Sequence, residues 1–448
     1  MPELSPDALL PALTATPAPP RLWIAYSGGL DSHVLLHACA ALRGRLGGEL
    51  RAVHLDHGLH PDSPGWAAHC RGICEALEVP LTVWRLRVVV NPGDSLEAVA
   101  RAARYAALAE LLGPDEVVAT AQHRDDQAET LLLALLRGSG VHGLAAMPAC
   151  SALGAGRLLR PLLGFDRADL QAYAERHGLE WIEDPSNADP GLDRNFLRHR
   201  VLPALRGRWP AAAATLARSA GHCAEAAGLI DVAADGQLAV LAGSRPGTLS
   251  VTGLRVLEPA PARAVVRRWL AVGGFRRPDR RRLGRVLDEV LPARADADPL
   301  VAWDGCEVRR YRDDLFALAP LPAPPPEQAI AWDGIGPLAL PNGLGRLVPA
   351  TGAGAAPSDL TVLIGSRSGP PLRCQRPGGP SRSLKDLFQQ AGVPPWLRIH
   401  VPLLRRGGHL VAVAGVARCG ESPPALTWEG HPWTGLGVFS DAVPPAAR

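Results

Sequence analysis

The run Ser27-Gly28-Gly29-Leu30-Asp31-Ser32 follows a short apolar segment, Leu22 to Tyr26, and leads into an apolar-periodic one, His33 to Leu42. The order is strand, glycine turn, helix. Two glycines let the chain turn tightly and bring backbone N–H groups close to an anion, and the helix start adds unpaired donors and the positive end of its dipole. Such a turn suits a phosphate. It is not the commoner phosphate loop ending in Gly-Lys-Ser/Thr, because the only lysine of the chain is Lys385.

From Arg21 to Arg137 apolar strands (Leu22–Tyr26, Arg51–Asp56, Leu81–Val90, Glu116–Ala121) alternate with helical patterns (His33–Leu42, Gly65–Leu77, Leu96–Leu112, Asp126–Arg137). The alternation predicts an α/β fold whose parallel sheet is joined by crossover helices, with ligands beyond the carboxyl ends of its strands. At 448 residues the chain is too long for one core. Residues 1–210 are expected to form the nucleotide-binding domain, 211–320 a helical middle domain, 321–355 a Pro/Gly-rich linker and 356–448 a small C-terminal α+β domain. The formal net charge of +3 is too small to imply a nucleic-acid partner, so that inference rests on local arginine clusters. The eight cysteines lack a Cys-x-x-Cys pair and are read as free thiols in a reducing compartment. With no apolar run long enough to span a bilayer, the expected location is the cytoplasm, away from membranes.

Polar clusters fall where the strands end. In the glycine turn, Ser27 and Ser32 offer hydroxyls, and Asp31 fits beside phosphates by orienting the loop or a metal ion. Three histidines and two aspartates in Val53–Ser63 shape the pocket rather than complete a metal shell, because no matching Cys/His set accompanies them. Asp126 and Glu129, three apart at a helix start, share a face; they read either as first-turn acids or as a seat for a cation. Arg101 and Arg104, three apart on another helix, are a solvated face or a source of positive charge for a phosphate. Arg-rich stretches at Arg276–Arg285 and Arg373–Arg406, the second including Trp396, read equally as solvated faces or as an RNA surface.

Taken in order, Ser27–Ser32, Val53–Pro61, Glu97–Tyr105, Ala121–Thr130, Leu135–Gly140, Arg160–Leu163, Glu183–Asn187 and Asp193–Pro203 resemble the tRNA(Ile)-lysidine synthetases, a branch of the N-type ATP pyrophosphatases. The likeness returns in Arg376–Gly379, Leu384–Phe388, Val393–Arg398 and Leu410–Val416. Two positions depart from the family pattern, Gln122 in place of a second histidine and His60 in place of an arginine.

The resemblance implies a ligase that joins L-lysine to carbon 2 of the wobble cytidine in the CAU anticodon of tRNA(Ile). ATP adenylates the base, and AMP and pyrophosphate are released. It implies ATP and Mg²⁺ held at Ser27, Gly28, Gly29, Leu30, Asp31, Ser32 and His54, with the metal ligands unspecified. Asp31, Arg101, Arg104, Asp126, Glu129 and Arg198 would act in the chemistry, with lysine on Asp126 and Glu129. Arg194, Asn195, Arg376, Lys385, Trp396 and Arg398 would meet tRNA. Oligomeric state stays open, a homodimer being one option. A cluster-dependent RNA thiolase is disfavoured by the cysteine spacing, and a small-molecule amidating synthetase would not need the Arg376–Arg398 segment.

Overall fold

The computed structural model describes residues 3–15, 17–58, 60–90, 96–185, 189, 191–294, 297–349, 359–365, 372–375, 380–420 and 425–439. Two compact units divide the chain, Met1–Leu229 and Ile230–Arg448.

The first unit opens with α1 (Pro6–Leu13). It then alternates β1 (Arg21–Ala25), α2 (Leu30–Ala41), β2 (Glu49–Asp56), α3 (Ser63–Ala76), β3 (Leu81–Arg85), α4 (Leu96–Leu111), β4 (Val117–Ala119) and α5 (Arg124–Leu136). A short α6 (Val141–Leu144) and the hairpin of β5 (Cys150–Leu153) and β6 (Gly156–Leu159) lead to α7 (Arg167–Arg176), α8 (Asp193–Phe196) and α9 (Leu202–Arg208). The sheet order is β3-β2-β1-β4-β6-β5, parallel throughout except for β5 at one edge. Both faces are covered: Leu22 and Ile24 of β1 share a core with Val34 and Leu35 of α2, and Trp23 shares another with Leu108 of α4. The strand order reverses between β1 and β4, so their outgoing chains part and leave a crevice at the carboxyl ends. Ser27–Ser32 and Thr120–Asp126 both lie there.

Two local readings need adjustment in this unit. The third strand stops at Arg85 rather than Val90, and the β5–β6 hairpin, made of strands only four residues long, escaped the periodicity.

A long α10 (Ala212–Val240) runs across the boundary of the units. The second unit continues with β7 (Leu249–Ser250), α11 (Val251–Arg255), α12 (Pro259–Val272), α13 (Arg280–Arg285), β8 (Leu300–Trp303), β9 (Cys306–Tyr311) and β10 (Asp314–Leu318). The expected helical middle domain therefore also carries an antiparallel sheet, β7-β10-β9-β8, packed on its helices through Val265, Leu283, Val308 and Leu315. Strands such as Leu300–Trp303, four residues long and buried only at alternate positions, are too short to stand out in sequence.

The remainder holds β11 (Gln328–Trp332), β12 (Leu338–Ala339), β13 (Arg346–Pro349), β14 (Leu360–Ile364), β15 (Arg373–Gln375), β16 (Ser381–Ser383), α14 (Leu384–Gln390), α15 (Pro395–Arg398), β17 (Leu403–Arg406), β18 (His409–Val413), β19 (Ala417–Arg418) and β20 (Leu426–Glu429). Its main sheet is β11-β14-β17-β18-β19, with a second of β12-β13-β20. The expected 321–355 linker is corrected accordingly, because β11 pairs with β14 and β13 with β20, which draws most of that stretch into the C-terminal sheets.

Two further expectations are overturned here. Cys374 and Cys419 are joined as a disulfide, their Cα atoms 5.2 Å apart on elements brought together by the fold, while the other six cysteines are free. A pairing 45 residues apart leaves no spacing signal. Trp396 is no RNA platform: it is 8% exposed, with its ring edge-on to Tyr311 and Phe316 at 6.3 and 5.7 Å and the Arg309 guanidinium 5.3 Å over it. Trp396→Ala should cost about 3–5 kcal/mol of C-terminal stability through the cavity it leaves. Denaturant unfolding followed on the full chain checks this, and an unshifted C-terminal transition would restore Trp396 to the surface.

Candidate active site

The turn after β1 is held from within and from below. Ser32 Oγ accepts from the Ser27 N–H at 3.2 Å, donates to the Gly29 carbonyl at 3.0 Å and lies 3.0 Å from Ser27 Oγ. Gly28 has φ +89°, and a Cβ there would lie 2.8 Å from Ile182 Cδ1 and 3.1 Å from Cys70 Sγ. Only glycine fits without displacing that floor. Ile182 also donates its N–H to the Gly28 carbonyl at 2.9 Å, and Leu30 opens α2 right behind the turn.

His54, expected on the nucleotide, instead lies beneath the turn. It is 5% exposed, and its Nδ1 is 3.0 Å from the Tyr26 carbonyl and 3.4 Å from Cys70 Sγ. Burial depresses its basicity. It supports the turn through the Tyr26 carbonyl.

Asp31, in the first turn of α2, faces the start of α5. His123 Nε2 lies 3.6 Å from Asp31 Oδ2 and 3.5 Å from Asp126 Oδ2, and the ring is 1% exposed. Burial pushes the Asp31 carboxyl up, but His123, Arg167 and Arg198 outweigh it and hold the group below its ordinary value. Burial pushes His123 down, yet Asp31 and Asp126 carry it above the ordinary histidine value. Asp31 Oδ1 is buried and accepts no hydrogen bond. Such an oxygen fits a hard cation, and because the described residues contain no cluster of three metal-ligating side chains, phosphate oxygens and water would complete its shell.

Asp126 and Glu129 do share one face of α5, and arginines already answer them. Arg198 Nε meets Glu129 Oε1 at 2.7 Å, and its Nη2 reaches Glu129 Oε2 at 3.0 Å and Asp126 Oδ1 at 3.1 Å. Arg194 adds Glu129 at 3.1 Å and Thr130 Oγ1 at 2.8 Å. Glu129 is fully buried, and burial raises its carboxyl despite Arg198. Arg198 sits in a π-helical turn, Leu197–Val201, between α8 and α9. Such turns recur at functional sites.

The remaining expected residues divide. Arg104 Nη2 reaches His57 Nε2 at 3.3 Å, at the end of β2, where burial and this guanidinium push His57 down to about 4. Arg101 turns along its own helix to Tyr105, donating to its hydroxyl at 3.3 Å. Asn195, expected on tRNA, is buried and donates to the Asp189 carbonyl at 2.9 Å, so it fastens the loop before α8. Arg194 is turned inward to Glu129, as described above, rather than outward to RNA. Arg398 donates to the Val393 carbonyl at 2.9 Å, Lys385 is exposed, and Arg376 lies outside the described residues. Sequence reading gave no role to His123 or Arg167, whose meaning depends on α5 and α7 meeting at Asp31.

Comparison with known proteins identifies the family of the chain. A PP-loop domain model matches residues 8–205, a TilS substrate binding domain 249–316 and a TilS C-terminal domain 364–425. The chain is 47% identical to the tRNA(Ile)-lysidine synthase of Alkalilimnicola ehrlichii over 93% of its length and 94% of that protein. It is 45% identical to that of Methylococcus capsulatus over 88% and 90%, and 41% identical to that of Coxiella burnetii over 93% and 93%. An anion turn at a sheet switch point, three matching domains and relatives alike from end to end place the chain in the tRNA(Ile)-lysidine synthase family.

Proposed function

We propose that the protein converts the wobble cytidine of a CAU-anticodon isoleucine tRNA to lysidine, in the cytoplasm, using ATP and free L-lysine. The observation that carries the reading is the continuous chain Asp31, His123, Asp126, Arg198, Glu129, which runs from the phosphate turn to the acid pair.

In the first step the cytidine O2 attacks the α-phosphorus; that O–P bond forms as the bond to the pyrophosphate oxygen breaks. The backbone N–H groups of the turn and the Ser27 hydroxyl hold the departing pyrophosphate while Ser32 braces the turn from within, and Arg104 supplies positive charge at the end of β2. A magnesium ion, held by Asp31 with phosphate oxygens, would neutralise the phosphates. In the second step the lysine ε-ammonium gives up a proton to solvent, the free ε-amine forms the C–N bond at carbon 2, and AMP leaves with the electron pair of the C–O bond. Asp126 and Glu129 seat the lysine, and its ammonium must compete there with the Arg198 guanidinium. Arg198 is therefore both the acids' resting partner and a group able to meet the lysine carboxylate.

The test supplies ATP, Mg²⁺, labelled lysine and separate transcripts of the isoleucine and elongator methionine tRNAs. Label is expected only in the isoleucine tRNA, with one AMP and one pyrophosphate per lysine. Consumption of ATP with no lysine in RNA would overturn the reading.

A further inference from the structure

Around the crevice nearly every guanidinium is tied down. Arg124 Nη1 donates to Asp166 at 2.8 Å, Arg194 and Arg198 are bound to Glu129, Arg206 to Asp125, and Arg104 to His57. Arg167 differs. Its Nε lies 3.7 Å from Asp31 Oδ1, an oxygen that accepts no hydrogen bond, and the side chain is 51% exposed. An ion pair that long and that wet holds its partners weakly.

The backbone beneath this loose side chain is firmly placed. The Arg167 N–H donates to Asp125 Oδ2 at 2.9 Å, and Asp125 is buried and also bound by Arg206. One residue earlier, Asp166 accepts from Arg124, while the Arg124 N–H donates to the Phe165 carbonyl at 2.9 Å. The starts of α5 and α7 are thus locked together, and a mobile fork of N–H donors projects from the lock toward the phosphate turn. A fixed base with a weakly committed guanidinium suits a ligand whose charge exceeds that of Asp31.

We propose that Arg167 is a phosphate-binding residue of the adenylation step, leaving its pair with Asp31 to take the pyrophosphate portion of bound ATP. This rests on the reading that ATP occupies the turn. As the α-phosphorus bond to the leaving oxygen breaks and its electron pair departs with pyrophosphate, the Arg167 N–H groups meet the added charge. Arg167 stays protonated and transfers nothing. It acts on the first step alone, because pyrophosphate has gone before lysine attacks.

The full chain would be compared as wild type, Arg167→Ala, Arg167→Lys, Asp31→Asn and the Arg167→Ala/Asp31→Asn pair. Binding of inorganic pyrophosphate and of AMP, and the KM for lysine, would be measured. Arg167→Ala should weaken pyrophosphate binding by about 10-fold or more, as expected for a lost charge-assisted hydrogen bond, with AMP binding and the lysine KM within about twofold of wild type. Arg167→Lys keeps the charge and loses the fork, so its pyrophosphate affinity should fall between the two; it carries the test if the alanine variant does not fold. The loss from Arg167→Ala should persist in the Asp31→Asn background. Unchanged pyrophosphate affinity would overturn the proposal. So would a loss that vanishes once Asp31 is neutral, since Arg167 would then be only a counter-ion. A wild type that binds pyrophosphate through Arg167 and yet forms no lysidine would refute the reading of function while leaving this inference standing.

Discussion

Asp31→Ala is expected to lower tRNA-dependent pyrophosphate release by about 100-fold or more, the scale seen when a preorganised group is removed from developing charge. The fold should survive, because Asp31 is one-third exposed at the edge of the turn and packs in no core cluster. Initial-rate pyrophosphate release by a variant of wild-type circular dichroism decides the matter, and an unaltered rate would take Asp31 out of the chemistry. The same carboxylate gives a signature in stability. Its lowered pKa stabilises the fold above the ordinary carboxylate value of the unfolded chain, about 4, and that contribution is lost as pH falls through the folded value. The raised pKa of His123 stabilises the fold below the ordinary histidine value of the unfolded chain, about 6.5, and that contribution is lost as pH rises through the folded value. The melting-temperature advantage of wild type over Asp31→Asn should therefore be greatest between about pH 4 and pH 6.5 and shrink on either side. A difference independent of pH would show that the two groups do not interact.

Glu129→Gln should be the other severe substitution, and it should raise the lysine KM more than the ATP KM. The amide keeps the shape and removes the charge, so the expected loss is about 1.5–3 kcal/mol, or roughly 10- to 100-fold in the lysine KM. Glu129 is fully buried against Arg198 and Arg194, and removing the acid also leaves two guanidinium groups short of their partner. The melting temperature should fall as well. Combining Glu129→Gln with Arg198→Ala separates the routes: losses that multiply indicate that Glu129 meets lysine itself, and losses that overlap indicate that it acts through Arg198. If ATP use alone suffers, the acid pair belongs to the nucleotide.

What could be read in the sequence was local. The turn at Ser27–Ser32 and the acids Asp126 and Glu129 declare themselves because a glycine turn, a helix start and a three-residue spacing are complete within a few residues. The parallel sheet with crossover helices follows from alternating strands and helices by the same logic, whereas the strand order β3-β2-β1-β4-β6-β5 appears only in the structure. Contacts across the chain were not legible. His123 looks like one more polar residue until α2 and α5 face each other, and Arg167 is an ordinary first-turn arginine until α7 docks on Asp125. Trp396 was misread because a tryptophan among arginines has the same spelling in a core as on an RNA platform; burial against Phe316 and Tyr311 settles it. The strands at 328–349 were hidden because proline and glycine there serve turns within sheets rather than a linker.

The π-helical turn at Leu197–Val201 sets the angular phase of three arginines. At about 100° per residue, Arg194 and Arg198 lie nearly one above the other, whereas Arg206, eight positions further on, would fall about 80° off that line in an unbroken α-helix. The π-turn absorbs one residue, so the same eight positions turn the helix as seven would, and Arg206 returns to within about 20° of the line. All three then face α5, on Glu129, Asp126 and Asp125. Deleting a single residue between 199 and 201 would give a more regular helix and swing Arg206 off Asp125. The extra residue of the turn thus sets the direction of Arg206 as much as the choice of arginine there does.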